Sequence, residues 1–266
     1  MSSVPPASPS GGRSASHLVL IPSYNPGPKV FDTVRDARLE WDPVWVIVDG
    51  STDGTADTLQ DMARSDPGLC VIVRPRNGGK GSAVLDGAIE ALRQGFTHVL
   101  TMDSDGQHPA SRIRDFMAAS QANAGAMILG EPIFDSSAPG IRVKGRRISN
   151  WWANLETLGA GIHDSLFGFR VYPLRPLVRI MQTHFGMRRF DFDVEIAVRL
   201  SWSGIPAINL PAPVRYFRPE EGGVSHFNYV RDNVLLTAMH ARLFAGFLVR
   251  LPLLLIKRWA QPKTPG

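Results

Sequence analysis

"HVLTMDSDGQHP", residues 98–109, runs from an apolar strand straight into an acidic turn. Its first half shows no alternation of apolar and polar residues. That is the pattern of a strand buried on both faces, and so of a parallel sheet covered by helices. Its second half sets Asp103 and Asp105 two positions apart, a spacing at which strand side chains face the same way. Two close carboxylates repel and resist desolvation, so the pairing implies a cation between them. Hard carboxylate oxygens that leave coordination positions open suit Mg2+ or Mn2+ beside phosphate. Gln107 offers a further oxygen, and His108 reads as a turn residue. On this stretch alone the competing reading is a solvated acidic turn.

Upstream, the same alternation of apolar runs and helical periods repeats. Strands read over 17–24, 44–50, 69–75, 98–103 and 126–131, with helices over 29–39, 51–65, 79–95 and from Pro109 onward. Gly95 closes the third helix, and Ser51 or a neighbouring threonine is the expected cap of the second. The fold class is therefore α/β, a Rossmann-like, mainly parallel sheet flanked by helices. Ligands in such sheets bind beyond the carboxyl ends of the strands. Four polar segments fall there: "PSYN", "DGSTDGT", "RNGGKG" and "DSDGQH". They are expected to form one site.

The second half is less regular. "GRRISNWWANLETLGAG" reads as a helix, "DSLFGFRVYP" as a turn and strand, and "RRFDFDVEIAVRLSWSG" as a helix. The prolines of "IPAINLPAPVRYF" confine that strand to an edge. Residues 228–259 are long, apolar and basic, interrupted by Arg242 and Arg250 and kinked by Pro252. The unbroken apolar runs look too short to span a bilayer, so an amphipathic helix at a membrane surface is expected. Packing on the body is the alternative.

With 266 residues, 44% of them hydrophobic, the chain can bury a core without covalent staples. Cys70, the single cysteine, excludes an intramolecular disulfide, fits a reducing compartment, and reads as a small core hydrophobe. The formal net charge of +5 favours anionic partners without choosing among them. No nucleic-acid-binding signature accompanies it. Residues 1–16, rich in Pro, Ser and Gly, lack the apolar centre of a signal peptide and read as a disordered tail.

Two further motifs bear on chemistry. Asp49, at the end of "VWVIVD", can accept from a base N–H or a ribose hydroxyl, or cap the next helix together with Ser51. "RNGGKG" (76–81) places glycines and Lys80 at a helix start, which favours phosphate. It lacks the spacing of a Walker A loop, and no G-x-G-x-x-G follows the first strand, so a dinucleotide oxidoreductase is disfavoured.

In this order, "IPSYN", "VDGSTDGT", "RNGGKGSAVLDGAIEA" and "MDSDGQHP" resemble the family 2 glycosyltransferases of GT-A fold. "DSLFGFRVYP" and "FDFDVEIAVRLSWSG" resemble the dolichyl- and polyprenyl-phosphate sugar synthases, and "GGVSHFNYVRDN" resembles relatives from bacterial aryl-polyene clusters. The resemblance spans roughly residues 17–240. It implies a GT-A domain over 17–225, followed by a membrane-associating helical segment over 226–266. It implies an inverting, metal-dependent transfer from a UDP- or GDP-linked sugar to a lipid-linked acceptor, either a polyprenyl phosphate or a lipid hydroxyl. The enzyme would then be peripheral at the cytoplasmic face of the cell membrane. Asp103, Asp105 and Gln107 would hold Mg2+ or Mn2+, and Pro22, Tyr24, Asn25, Asp49, Lys80 and Asp103 would bind the donor. Arg170 and Arg218 would bind the acceptor. Asp193, then Asp164, would be the base for a hydroxyl acceptor, with Asp191 and Glu195 close by.

There are departures. Val48 stands where many relatives have a second aspartate, and His226 where the phosphate-acceptor branch often has lysine. No Q-x-x-R-W motif or transmembrane bundle is present, which argues against a polymerising synthase. Two other classes compete: a nucleotidyltransferase, whose Gly-rich basic loop "IPSYNPGPK" does not match, and a non-catalytic lipid-surface module, against which the intact acidic pair argues.

Overall fold

The structure is a computed structural model and describes residues 12–134, 140–184, 186–215 and 229–260. Seven strands form one sheet: β1 (His17–Ser23), β2 (Val44–Asp49), β3 (Leu69–Arg74), β4 (His98–Thr101), β5 (Met127–Phe134), β6 (Arg170–Pro173) and β7 (Ala207–Val214). Their order is β3-β2-β1-β4-β6-β5-β7. All neighbours pair in parallel except β6, which runs against both β4 and β5. β1, β2 and β4 are buried throughout, as their unbroken apolar runs require. β3 corrects the expectation of double coverage, because at the sheet edge it is only partly buried. β7, with its two prolines, lies at the opposite edge, as Pro dictates.

Side-chain alternation divides the core in two. Leu18, Leu20, Trp45 and Ile47 face one layer, made by α3 (Lys80–Arg93), α6 (Leu174–Thr183), α7 (Phe192–Trp202) and the middle of α8 (Tyr229–Ala260). Val19, Ile21, Val46 and Val48 face the other, made by α1 (Lys29–Glu40), α2 (Thr55–Ser65) and α4 (Ile113–Ala122). The face of α3 is built of small residues, among them Gly81, Ala83, Gly87, Ala88 and Ala91. A Cβ at Gly87 would come within 2.6 Å of Leu20, so the helix lies directly on the sheet.

Three local readings are corrected. The start of α2 has no side-chain cap from Ser51: Gly54 takes a left-handed conformation there (φ 79°), and Asp53 accepts from the Thr55 N–H at 3.2 Å. α6 is an element that the sequence reading lacked, although Leu174, Leu177, Val178 and Met181 are buried at helical spacing. α8 is one helix of 32 residues with Pro252 inside it. Its stretch Arg231–Ile256 is long and apolar enough to cross a membrane by length and composition, contrary to expectation, and 22% of that window is buried. Met239, Leu243 and Phe247 seat α8 on the core. His240 joins it to Glu156 of α5 (Gly140–Glu156) at 3.0 Å. The two tryptophans of α5 divide: Trp152 packs on Phe244, while Trp151 is exposed.

Candidate active site

The carboxyl ends of β1, β2 and β4 open into a cleft of about 550 Å3. Pro22, Tyr24, Asp49, Lys80, Asp103, Asp105 and Gln107 all line it. Four segments distant in sequence thus meet at one sheet edge.

The cleft walls are tied together by side chains. Asn25 (φ 41°) takes the Ser51 hydroxyl as acceptor for its N–H at 3.0 Å, and its Oδ1 accepts the Thr52 N–H at 2.7 Å. Asp53 accepts the Gly27 N–H at 3.1 Å. Asn25 therefore joins the loops after β1 and β2; it is not among the residues facing the cleft. Asp49 is buried and accepts the N–H groups of Gly78 (3.0 Å) and Gly79 (2.7 Å), and Arg74 donates to it as well. Its carboxylate thereby fixes the turn that opens α3. Gly79 sits at φ 94°, where an added Cβ would be 2.5 Å from the Arg188 carbonyl oxygen.

Lys80, the first residue of α3, extends into the floor. Its Nζ lies 2.7 Å from Asp103 Oδ1 and 2.7 Å from Asp193 Oδ2. Burial alone would lower its pKa, but the two carboxylates outweigh that and raise it, so Lys80 is a fixed cation. Gly168 covers this contact from behind, and a Cβ there would fall 2.5 Å from Nζ. Asp105 has no ion pair among the described residues; its Oδ1 accepts the Gln107 N–H at 3.0 Å. Burial and the charge of Asp103 push its pKa up to about 7.

His108 is not a mere turn residue. It is buried edge-on against Phe167 and Phe169, and its Nδ1 accepts the Asp103 N–H at 2.9 Å. Burial lowers its pKa to about 4, so the ring is neutral.

The cleft fits a divalent cation by the chemistry of its donors. Asp103 already holds an ammonium, and Asp105 is a carboxylate with no cation of its own. Among the described residues no cluster of three or more His, Cys, Asp or Glu side chains forms. A metal here would take two protein carboxylates and fill its remaining positions from Gln107, water or a ligand's phosphates.

Other expected residues lie elsewhere. Asp193, on the first turn of α7, is buried behind Lys80, and its Oδ1 has no hydrogen-bond partner. Asp164 is buried, and its carboxylate accepts from Leu166 N–H (3.0 Å), Phe167 N–H (2.7 Å), Arg146 (2.5 Å) and Asn150 (3.4 Å). Its Oδ1 ties the turn before β6 to Arg146 of α5, and among the described residues its Oδ2 meets Asn150 alone. Arg170 is wholly buried and donates to the Asp164 and Asp193 carbonyl oxygens and to Tyr172. Facing inward, it clamps the two acidic segments and does not meet an acceptor. Asp191 accepts the Met187 and Arg189 N–H groups, and Glu195 pairs with Arg199 and Arg242. Arg218 and His226 lie outside the described residues. Two cations at the cleft had not been assigned from sequence, Arg189 and Arg231. Their signal was present in "MRRFDF" and "NYVRDN", but nothing local distinguishes them from surface arginines.

Comparison with known proteins agrees with this fold. The family model described as glycosyl transferase family 2 matches residues 18–193. The polyprenol monophosphomannose synthase of Mycolicibacterium smegmatis is 29% identical over 224 residues, covering 78% of this chain and 79% of the relative. A dolichyl-phosphate beta-glucosyltransferase of Trichomonas vaginalis is 25% identical over 202 residues, covering 67% of this chain and 59% of the relative. The fold is that of glucosyl-3-phosphoglycerate synthase from Mycobacterium tuberculosis, solved with Mn2+, UDP-glucose and phosphoglyceric acid. That match has a TM-score of 0.54 at 17% identity and covers 89% of this chain and 79% of that one. It is also the fold of S. aureus TarS 1–349 bound to UDP-GlcNAc, with a TM-score of 0.56 at 15% identity, covering 88% and 71%.

Proposed function

The chain belongs to glycosyl transferase family 2, and on that premise we propose that it transfers a sugar from a nucleotide-sugar donor to a lipid-linked phosphate. The transfer inverts the anomeric centre and takes place at the cytoplasmic face of a membrane. The observation that carries the choice of a phosphate acceptor is the placement of the two candidate bases. Asp164 is buried with three donors on its Oδ1, and Asp193 reaches the cleft only through Lys80. A hydroxyl acceptor needs a base within reach. A phosphate acceptor is already ionised and needs cations to hold it, and Arg189 and Arg231 stand at the cleft. The relatives named for polyprenol and dolichyl-phosphate products support the same choice.

Asp103, Asp105 and Gln107 would hold Mg2+ or Mn2+, which when bound neutralises charge on the leaving diphosphate. Pro22 and Tyr24 form the wall for the base. Asp49 shapes the Gly78–Gly79 turn beside the nucleotide and leaves Lys80 aimed at the phosphates. Asp193 keeps the Lys80 ammonium in place and charged. Arg189 and Arg231 orient the acceptor phosphate.

The test has two arms. UDP-, GDP- and dTDP-sugars are screened for thermal stabilisation with and without Mn2+, in wild type and Asp105→Ala. One nucleotide family should raise the melting temperature in a metal-dependent way, and Asp105→Ala should abolish the shift. The matching labelled donor is then offered polyprenyl phosphate or the free polyprenol. Transfer to the alcohol alone would overturn the phosphate reading.

A further inference from the structure

We propose that the C-terminal end of α8 seats the protein on an anionic lipid bilayer, entering one leaflet without crossing it. The inference deepens the lipid-acceptor reading and rests on it.

The outer face of α8 changes character along its length. In its first half the exposed residues are mostly polar or small, Arg231, Asn233, Thr237 and Arg242 among them, with one large apolar side chain, Val234. In its last turns they are Leu248, Val249, Pro252, Leu253, Leu255 and Ile256, with Val249 80% and Ile256 65% exposed. Val249, Leu253 and Ile256 fall on one side at helical spacing. The opposite side stays occupied: Phe247 is buried, and Leu251 and Leu254 pack against the core. The apolar strip is thus the outside of a docked helix. On α5, Trp151 is 59% exposed and meets Trp152, which contacts Phe244 of α8, one turn before the strip begins. An exposed indole suits the headgroup boundary.

Charge selects the occupant. From residue 233 to 266 the sequence holds Arg242, Arg250, Lys257, Arg258 and Lys263 and no acidic residue. Arg242 pairs with Glu195 and Arg250 lies over Trp202, so the charge in excess there is, by sequence, that of Lys257, Arg258 and Lys263. An apolar strip followed in sequence by cations, with no acidic residue to offset them, fits anionic headgroups. A second copy of the chain would bring the same cations against themselves.

Packing argues against crossing. A spanning helix needs about 20 residues in the hydrocarbon. Freeing them would strip Met239, Leu243 and Phe247 from the core and leave the buried Glu156 and Glu195 without His240 and Arg242. The strip from Leu248 to Ile256 rises about 13 Å at 1.5 Å per residue, under half of the roughly 30 Å hydrocarbon core.

The experiment uses the full chain and vesicles of phosphatidylcholine, with or without phosphatidylglycerol. Wild type should float with the anionic vesicles, less so at high salt, and alkaline carbonate should release it. Val249→Asp/Leu253→Asp should lower the partition about tenfold or more. It should keep the wild-type melting temperature, because both side chains are exposed. As a second measurement, Leu253→Cys in a Cys70→Ser background carries an environment-sensitive dye that should blue-shift on anionic vesicles. Three results would overturn the inference: flotation of the double variant like wild type, resistance of wild type to carbonate, or no flotation of wild type with anionic vesicles, whether or not it forms a dimer that the double variant dissolves. None of these readouts needs a sugar nucleotide, so failure of the donor screen would be separately visible.

Discussion

The Nδ1 of His108 accepts the backbone N–H of Asp103 at 2.9 Å, which places the ring proton on Nε2, 3.5 Å from Asp103 Oδ2. One neutral imidazole thus holds the backbone of the first acidic residue and faces its carboxylate with a ring N–H. His108→Leu leaves a buried N–H without an acceptor, a loss of about 1–3 kcal/mol. It should also weaken Mn2+-dependent nucleotide binding by about tenfold, while His108→Asn, whose side-chain oxygen can accept, restores part of both. Urea denaturation and nucleotide titration measure the two effects. Full nucleotide affinity in His108→Leu would show that the acidic turn holds itself.

Asp49 is expected to act on stability before it acts on ligand. Asp49→Ala deprives Gly78 and Gly79 of their acceptor and Arg74 of its buried partner. Breaking such a pair costs about 3–5 kcal/mol. The low end is expected because Arg74 keeps Asp86 at 2.7 Å. Chemical denaturation without ligand gives the number. A loss below about 1 kcal/mol, the net worth of a single ordinary hydrogen bond, would mean that the glycine turn forms without the carboxylate.

Asp105 opposes folding when no cation is bound. Its folded pKa, up at about 7 from 3.8 through burial and the charge of Asp103, means that the folded state holds a proton the unfolded chain has released. Stability therefore falls as pH rises from about 4 to about 7 and stays lower above that. Asp105→Asn should melt higher than wild type at pH 8 and no differently at pH 4, yet gain nothing from Mn2+ with nucleotide. An unchanged melting temperature at pH 8 would contradict the assigned burial.

The amino-terminal ends of β1 and β4, opposite the cleft, carry the opposite dependence. His17 and His98 stack with ring centroids 4.4 Å apart, and both are buried. Burial, then the neighbouring His98, lowers the His17 pKa to about 4 from 6.5. The unfolded chain binds the proton first, so this contribution is complete above pH 6.5 and is lost as pH falls toward 4. His17→Gln should flatten the acid limb of the melting curve over that window. An identical acid slope in the variant would assign the acid sensitivity to other groups.

The donor half of the site was legible because its signals are local. Unbroken apolar runs end in Ser23, Asp49 and Asp103, and sheet geometry alone brings such ends together. The acceptor half was not, because an aspartate in a turn has the same local sequence whether it caps or catalyses. Asp164 Oδ1 and the terminal nitrogens of Arg170 are engaged by partners that only the tertiary fold supplies. The same holds for His108, whose role depends on Phe167 and Phe169, some sixty residues away in the chain. α6 was masked by Pro173 and Pro176, which sit harmlessly at its start, where no intrahelical N–H is required.

The reversed strand β6 has a consequence for how this scaffold can be rebuilt. Because β6 runs against its neighbours, Arg170 pairs with Thr101 and the chain enters β6 at the edge where it leaves β4. The loop preceding one strand and the loops following three others therefore share a single rim. A graft into the segment ahead of β6 would act on the cleft from behind its floor, where Gly168 meets Lys80, while the loops after β1 and β2 kept their own internal ties. Tolerance to rebuilding is therefore uneven along the rim: the loops after β1 and β2 hold one another, whereas the segment ahead of β6 is tied to the acidic floor through Gly168 and Arg170.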